Sequence, residues 1–440
     1  MYREYILFYI RKVKKILLKN YIFGLLYKYI VYKCFMKTTF QNVRGTQDFL
    51  GEDSKKYNCV IEIAKRNVKS YNFHEIITPI IEFSNLFERN VGEGSDIVMK
   101  ELYRFEDRGG NMLALRPEFT AGVVRSFLNN DELNQNLPQK LFSYGPVFRY
   151  DRPQKGRYRQ FNQINCEFIG VKEYLADVEI LSLAYKILQD LGLKNITLEI
   201  NSLGSNACKT KYEEALKKYF ETSKDKLSED SKNRLEKNPL RILDSKEECD
   251  KELLKNAPKI SDFYTDEERE FFDNILKSLD RMGIKYFANN LLVRGLDYYT
   301  STVFEFTTTD LGAQSTALGG GRYDDLIEQM SGTSIPAVGF GGGVERMMLL
   351  LNESLLQKEE VIAIVPVSDN ENDFSLDLTN KLRLQGKIVE FIYSGKFKKK
   401  MEKANKCGAD FLIVVGEDEV KTNKLKIKNL KDGSINDFVL

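Results

Sequence analysis

The sequence predicts an α+β protein: a large antiparallel sheet with flanking helices, interrupted by a helical insertion and followed by a small α/β domain. Three observations predict it. Between Glu75 and Gly170, β-like runs follow one another at a spacing that suits a large antiparallel sheet with helices beside it. From about Ser205 to about Pro258 the composition turns Lys/Glu-rich and helical in pattern. After a charged linker near Asn352 to Glu360, two continuous apolar runs, Val361 to Pro366 and Phe411 to Gly416, have the mark of strands buried on both faces.

In chain order, Met1 to about Phe35 stands apart as an extension of unknown role. It is rich in Tyr, Ile, Leu and Lys, has no Pro or Ser, and holds Glu4 as its only acid. Its most apolar part, Tyr21 to Phe35, is broken by Lys28 and Lys33 and is short for a membrane span. No small-residue cleavage site suits a signal peptide, and the lack of Ser does not suit a transit peptide. Two readings stay open, a basic amphipathic surface helix and translated sequence upstream of a start at Met36, and the second is the expectation.

From Lys37 the pattern is globular. Asp53 to Tyr71 reads as an amphipathic helix. Glu75 to Glu82 reads as a strand in which Pro79 marks an edge or interface position. Strands are expected at Glu101 to Glu106, Met112 to Leu115, Lys140 to Arg149 and Phe161 to Gly170, and helices at Glu118 to Asn129 and Tyr174 to Leu191. Strand-like, Gly-rich sequence returns from Leu291 to Arg346. The domains expected are therefore 36–351, with the insertion inside it, and 361–440. There is no internal repeat.

Composition narrows the chemistry. Hydrophobic residues make up 42% and charged residues 30%, the balance of a soluble globular protein. The 66 basic and 64 acidic residues leave +2, which argues neither way about RNA, because local basic patches suffice to hold it. Six scattered cysteines form no C-x-x-C pair, so neither a disulfide framework nor a zinc site is expected, and a reducing cytoplasm fits. The single histidine, His74, excludes triad hydrolases and most zinc enzymes. Chemistry must run on carboxylates, arginines, amides and a metal ion brought with the substrate. His74 itself, just before an apolar run, is expected to be structural.

Four segments carry chemistry. Leu115 to Thr120 turns a strand end into a helix start with Glu118 and Thr120 side by side, which suits either a ligand or plain helix capping. Phe148 to Gln163 brackets, between two apolar strands, a loop crowded with Arg, Lys and Gln; the planar fork of arginine suits phosphate. Period-two alternation then puts Gln163, Asn165 and Glu167 on one face, a polar pocket lining. Leu292 to Tyr299 offers an Arg-Gly step for close backbone approach and paired tyrosine hydroxyls in an aromatic wall. Gly319 to Asp324 and Gly339 to Arg346 combine strand glycines, on which a flat base can lie, with a terminal Arg for a phosphate tail. They fit neither a P-loop nor a dinucleotide fingerprint.

Together and in this order the segments resemble the class II aminoacyl-tRNA synthetases and, within them, the histidyl-tRNA synthetase family. Val43 to Asp48 resembles its N-terminal signature, Thr78 to Glu82 motif 1, Phe148 to Glu167 motif 2, and Gly339 to Arg346 motif 3. Leu292 to Tyr299 and Ala317 to Asp324 resemble the two histidine-specific signatures. The resemblance spans nearly everything from about Met36 onward. It implies a class II catalytic domain with an antiparallel sheet, a C-terminal anticodon-binding α/β domain, and a cytoplasmic homodimer through motif 1. The implied substrates are L-histidine, ATP with Mg²⁺, and tRNA(His), with no zinc, organic cofactor or membrane partner.

By position, the resemblance implies that Arg149 binds the α-phosphate and Arg346 the γ-phosphate, with Glu345 beside it in the ATP site. Arg294 would stabilise the transition state of adenylate formation. Glu118, Thr120 and Gln163 would hold the histidine ammonium, with Phe119 between them. Glu167 and Tyr299 would read the imidazole, with Tyr298 beside them. Arg152 and Gln154 would meet the tRNA acceptor end. Ser394 to Lys400 supplies positive charge for RNA phosphates, or else is a solvated helix start. Phe119 stands where many members have a small residue or Met. A regulatory paralogue that binds histidine without charging tRNA shares the fold. Such paralogues usually lose signatures or arginines that this chain keeps.

Overall fold

The computed structural model describes residues 40–90, 100–311, 316–356 and 358–439. The expected extension from Met1 to Phe35, and Met36 itself, lie outside the described residues. The chain divides into two compact units, 1–350 and 351–440.

The first helix, α1 (Glu52–Ser70), buries Val60, Ile61, Ala64, Asn67 and Val68, one face of a 3.6-residue period. It stops where Asn72 takes a positive φ. Two short strands follow, β1 (His74–Glu75) and β2 (Ile81–Phe83), then helix α2 (Ser84–Asn90). Strands β3 (Arg104–Glu106) and β4 (Met112–Leu115) make a small sheet in the order β2-β4-β3. The single strand expected over Glu75 to Glu82 is thus two strands in two sheets. The carbonyls of the intervening Thr78 and Pro79 accept the Arg116 guanidinium at 2.9 and 3.5 Å instead of a ladder partner. His74 lies on β1, exposed, and pairs in parallel with Leu141.

Helices α3 (Thr120–Leu128) and α4 (Asp131–Gln135) lead into β5 (Gln139–Phe148) and β6 (Gln160–Ile169), a ten-pair hairpin. Helix α5 (Leu175–Asp190) crosses back, and β7 (Ile196–Ser202) enters the sheet. The helical insertion then runs through α6 (Asn206–Glu221), α7 (Glu229–Lys237) and α8 (Glu248–Leu254), and helix α9 (Asp266–Met282) carries the helical stretch well past Pro258. Strands β8 (Tyr286–Ala288), β9 (Thr300–Thr308), β10 (Thr316–Arg322) and β11 (Ala337–Gly343) complete the sheet, with α10 (Asp324–Ser331) and α11 (Val344–Leu350) after β10 and β11.

The large sheet has the order β1-β5-β6-β11-β10-β9-β7-β8. Its six central strands are antiparallel, whereas β1 against β5 and β8 against β7 are parallel, so the sheet is mixed at both edges. Both edge strands are very short, which blunts the edges against further pairing. A buried ion pair ties the sheet to α5: Arg322 on β10, 1% exposed, donates Nε to Asp177 at 3.0 Å and Nη1 to the Val171 carbonyl at 3.0 Å.

The second unit has β12 (Val361–Pro366), α12 (Asn372–Leu384), β13 (Ile388–Phe391), α13 (Phe397–Lys406), β14 (Phe411–Val415), α14 (Glu417–Thr422), β15 (Leu425–Asn429) and β16 (Ile435–Phe438). Its sheet order is β13-β12-β14-β15-β16, with the first three strands parallel. Both continuous apolar runs are central strands with a core on each side, formed by Ile362, Ile364 and Ile413 on one face and Ala363, Val365 and Leu412 on the other. Among the described residues, no helix is long and apolar enough to cross a membrane.

Candidate active site

The glycine strands explain how side chains can converge on one face of the sheet. Arg294 lies flat on β10: a Cβ on Gly319 would meet its Cζ at 2.9 Å. The Glu167 carboxylate lies over β11, where a Cβ on Gly339 would sit 1.8 Å from Oε2. The register places Gly339 opposite Glu167 and Gly341 opposite Asn165, so the bare strand makes room for the polar face of β6. Above this floor opens a cleft of about 260 Å³, at the small end of ligand sites.

The structure brings Glu118, Phe119, Thr120, Arg149, Gln163, Arg294, Tyr298, Tyr299, Glu345 and Arg346 to the walls of that cleft. Glu118 serves both readings of its segment. Its carboxylate accepts the Thr120 and Ala121 amides at 2.6 and 2.8 Å, capping α3, and it also lines the cleft. Burial pushes its pKa up, and the helix amides offset part of that. Glu167 accepts Thr120 Oγ1 at 2.5 Å, Asn165 Nδ2 at 2.9 Å and the Tyr323 hydroxyl. Burial raises its pKa to about 7. Tyr298 packs between Tyr299 and Tyr323, at centroid distances of 4.7 and 5.6 Å, and burial pushes all three phenols up.

Four arginines, Arg149, Arg157, Arg294 and Arg346, also line the cleft. Arg149 donates Nε to the Pro117 carbonyl at 2.9 Å and lies over the Phe161 ring. Arg346 donates to the carbonyls of Gly156 and Thr316 at 2.9 and 2.6 Å. Burial lowers the pKa of both, and mutual repulsion with Arg157 adds to it. Arg157 pairs with Asp151 and, at 3.7 Å, with Glu101. Arg294 pairs with Glu305, whose other oxygen accepts Thr316 Oγ1 at 2.5 Å. Burial opposes the charge of Arg294, but Glu305 holds its pKa above the ordinary value. Its buried Nε makes no hydrogen bond among the described residues.

Glu345 faces the cleft while gripping the start of β6, accepting the Asn162 amide at 2.8 Å and its Nδ2 at 2.9 Å. Arg152 and Gln154 are exposed on the β5–β6 loop. That loop packs on Gly45, whose carbonyl accepts the Arg159 amide at 2.7 Å, so the N-terminal signature props the motif 2 loop. In the second unit, Lys400 leaves the expected run of free cations: it is 2% exposed and donates Nζ to the Pro366 carbonyl at 3.0 Å. Sequence reasoning named no role for Glu305, Tyr323 or Arg157. Tyr323 and Arg157 stand inside motifs singled out in the sequence, and Glu305 in the run Thr302 to Phe306 into which the segment Leu292 to Tyr299 leads.

The comparisons with known proteins agree with this geometry. A family model described as histidyl-tRNA synthetase matches residues 45–347, and one described as an anticodon binding domain matches residues 361–438. The chain is 48% identical to the histidine–tRNA ligase of Wolbachia pipientis (strain wPip) over 396 residues, 90% of this chain and 96% of that one. It is 47% identical to that of Aquifex aeolicus over 394 residues, 89% and 97% of the two chains. The crystal structure of the apo S. aureus histidyl-tRNA synthetase superposes with a TM-score of 0.75 at 36% identity, covering 91% of this chain and 97% of that one. With Glu118, two tyrosines and four arginines lining one cleft, and these matches along both units, the chain belongs to the histidyl-tRNA synthetase family.

Proposed function

We propose that the chain activates L-histidine with ATP and transfers it to the 3′ end of tRNA(His). The observation that carries this is a single cleft lined both by Glu118, Tyr298 and Tyr299 and by four arginines. Glu118, with the Glu167 carboxyl buried behind Thr120 rather than on the cleft wall, suits a cationic, ring-bearing amino acid, and Arg149, Arg157, Arg294 and Arg346 suit a polyphosphate. In the first step the histidine carboxylate attacks the α-phosphorus, an oxygen–phosphorus bond forms, and the bond to the departing pyrophosphate breaks. This in-line displacement needs positioning and positive charge rather than a base. In the second step a terminal ribose hydroxyl of the tRNA attacks the acyl carbon and AMP leaves.

In this reading Arg149 holds the α-phosphate, and Arg346, with Glu345 beside it, the γ-phosphate end. Arg294 neutralises the charge that builds between carboxylate and α-phosphate. Mg²⁺ would arrive with ATP as part of that substrate and add positive charge at its phosphates, and no zinc or organic cofactor enters the scheme. Glu118, Thr120 and Gln163 receive the ammonium beside Phe119, and Glu167 and Tyr299, with Tyr298, read the imidazole. A site built to hydrogen-bond both ring nitrogens leaves polar groups unpaired with any analogue lacking them.

Residues 36–351 do the chemistry, Arg152 and Gln154 meet the acceptor end, and residues 361–440 read the anticodon, all in the cytoplasm. A second copy of the chain covers the small sheet. Its register aligns Phe83, Leu113 and Phe105 in a row, and Ile81, Phe83 and Phe105 are 48%, 58% and 40% exposed. The test is charging of purified tRNA transcripts with labelled histidine. Label on the histidine tRNA alone supports the reading. No transfer to any transcript, with histidine still bound, identifies a regulatory paralogue instead.

A further inference from the structure

The loop from Arg294 to Tyr299 is irregular, and the helical insertion grips it just after Arg294. Arg241, in the short turn Pro239–Ile242 between α7 and α8, donates Nη2 to the Gly295 carbonyl at 2.6 Å. The same nitrogen lies 3.3 Å from the Asp297 carboxylate. Asn238 donates Nδ2 to that carboxylate oxygen at 3.2 Å, and Lys209 on α6 donates Nζ to the Asp297 carbonyl at 3.2 Å. The turn is itself anchored, with Pro239, Leu240 and Ile242 buried in the insertion's core. Three insertion side chains thus hold the backbone and carboxylate of residues one to three positions after Arg294.

This arrangement has a consequence for the chemical step. Arg294 has no freedom to compensate for a shifted backbone: its guanidinium rests on Gly319 and is tied to Glu305. Misplacing a charge-stabilising group by about 1 Å costs on the order of 10²-fold in rate. We propose that Arg241 is a positioning residue for adenylate formation: through Gly295 and Asp297 it sets the reach of Arg294, making the helical insertion a working part of the activation site. The proposal rests on the reading of Arg294 given above.

The test is histidine-dependent ATP–pyrophosphate exchange on the full chain carrying Arg241→Ala, Arg241→Lys, Asp297→Asn or Arg294→Ala, with kcat and both KM values measured and melting followed alongside. Arg241→Ala is expected to lower kcat by roughly tenfold or more while both KM values stay within about twofold. Arg241→Lys is expected to recover only part of the loss, because the shorter lysine side chain ends short of the position that Nη2 holds between the Gly295 carbonyl and the Asp297 carboxylate. If Arg241→Ala does not fold, Asp297→Asn and Arg241→Lys carry the test, each with reduced kcat and unchanged KM. Unchanged kcat in the Arg241 and Asp297 variants while Arg294→Ala is inactive overturns the proposal. So does a parallel loss of kcat, KM and melting temperature, which marks a merely structural contact. Full exchange in Arg294→Ala overturns the reading of Arg294 itself.

Discussion

Glu167 carries a carboxyl group into the core beside hydroxyl and amide donors rather than a cation. Burial raises its pKa from 4.5 to about 7, against the pull of those donors. The folded chain therefore binds this proton more tightly than the unfolded chain does. The contribution to stability is greatest at low pH and is lost as pH rises from about 4.5 to about 7. Glu167→Gln should flatten that part of the profile, which denaturant midpoints measured from pH 4 to pH 8 would check; an unaltered slope would contradict it. Arg294→Ala should slow adenylate formation by roughly 10²-fold or more with modest change in histidine affinity by calorimetry, and equal losses in both would count against its role. At this scale the residues facing the cleft were legible in the sequence. Alternation along β6 put Gln163 and Asn165 on the cleft wall, with Glu167 on the same face but buried behind it, and the motifs supplied the arginines. What holds those residues was not legible. Glu305 under Arg294, Tyr323 on Glu167 and Arg241 on Gly295 are pairings across 11, 156 and 54 positions of chain, and no local pattern encodes them.

Helix α9 shows an element whose ends are written in its residues. Thr265 Oγ1 accepts the Glu268 amide at 3.2 Å, Glu268 returns a carboxylate to the Thr265 amide at 2.8 Å, and Gly283 closes the helix in a left-handed turn. Glu268 also accepts the Ser205 amide at 2.7 Å, so the cap joins the two ends of the insertion. Thr265→Ala is expected to cost about 1 kcal/mol in urea unfolding. Breaking the α5–β10 ion pair should cost more, because Asp177→Ala leaves the Arg322 guanidinium buried with its main partner gone. About 3–5 kcal/mol is expected, and a loss below 1 kcal/mol would contradict that account. Elements with strong periodicity were readable, α1, α5, β5 and β6 among them. The strand expected over Glu75 to Glu82 failed because β-rich residues outweighed Pro79, whose missing amide breaks the ladder and leaves Arg116 to satisfy the carbonyls.

For the whole molecule, the two units were visible as a change from interrupted, polar-faced strands to continuously apolar ones. The parallel edges of the large sheet were not, since β1 and β8 have only two and three residues and no pattern of their own. The exposed apolar row of Ile81, Phe83 and Phe105 makes a prediction at this scale: Phe83→Glu combined with Phe105→Glu should shift sedimentation from dimer to monomer. A wild-type chain that sediments as a monomer would contradict it. The central claim, that one cleft joins a histidine pocket to a polyphosphate site, is tested most directly by ATP–pyrophosphate exchange with Mg²⁺ and each of the twenty amino acids in turn. Exchange with histidine alone is the expected result. Exchange with another amino acid, or with none while histidine still binds, would contradict the account.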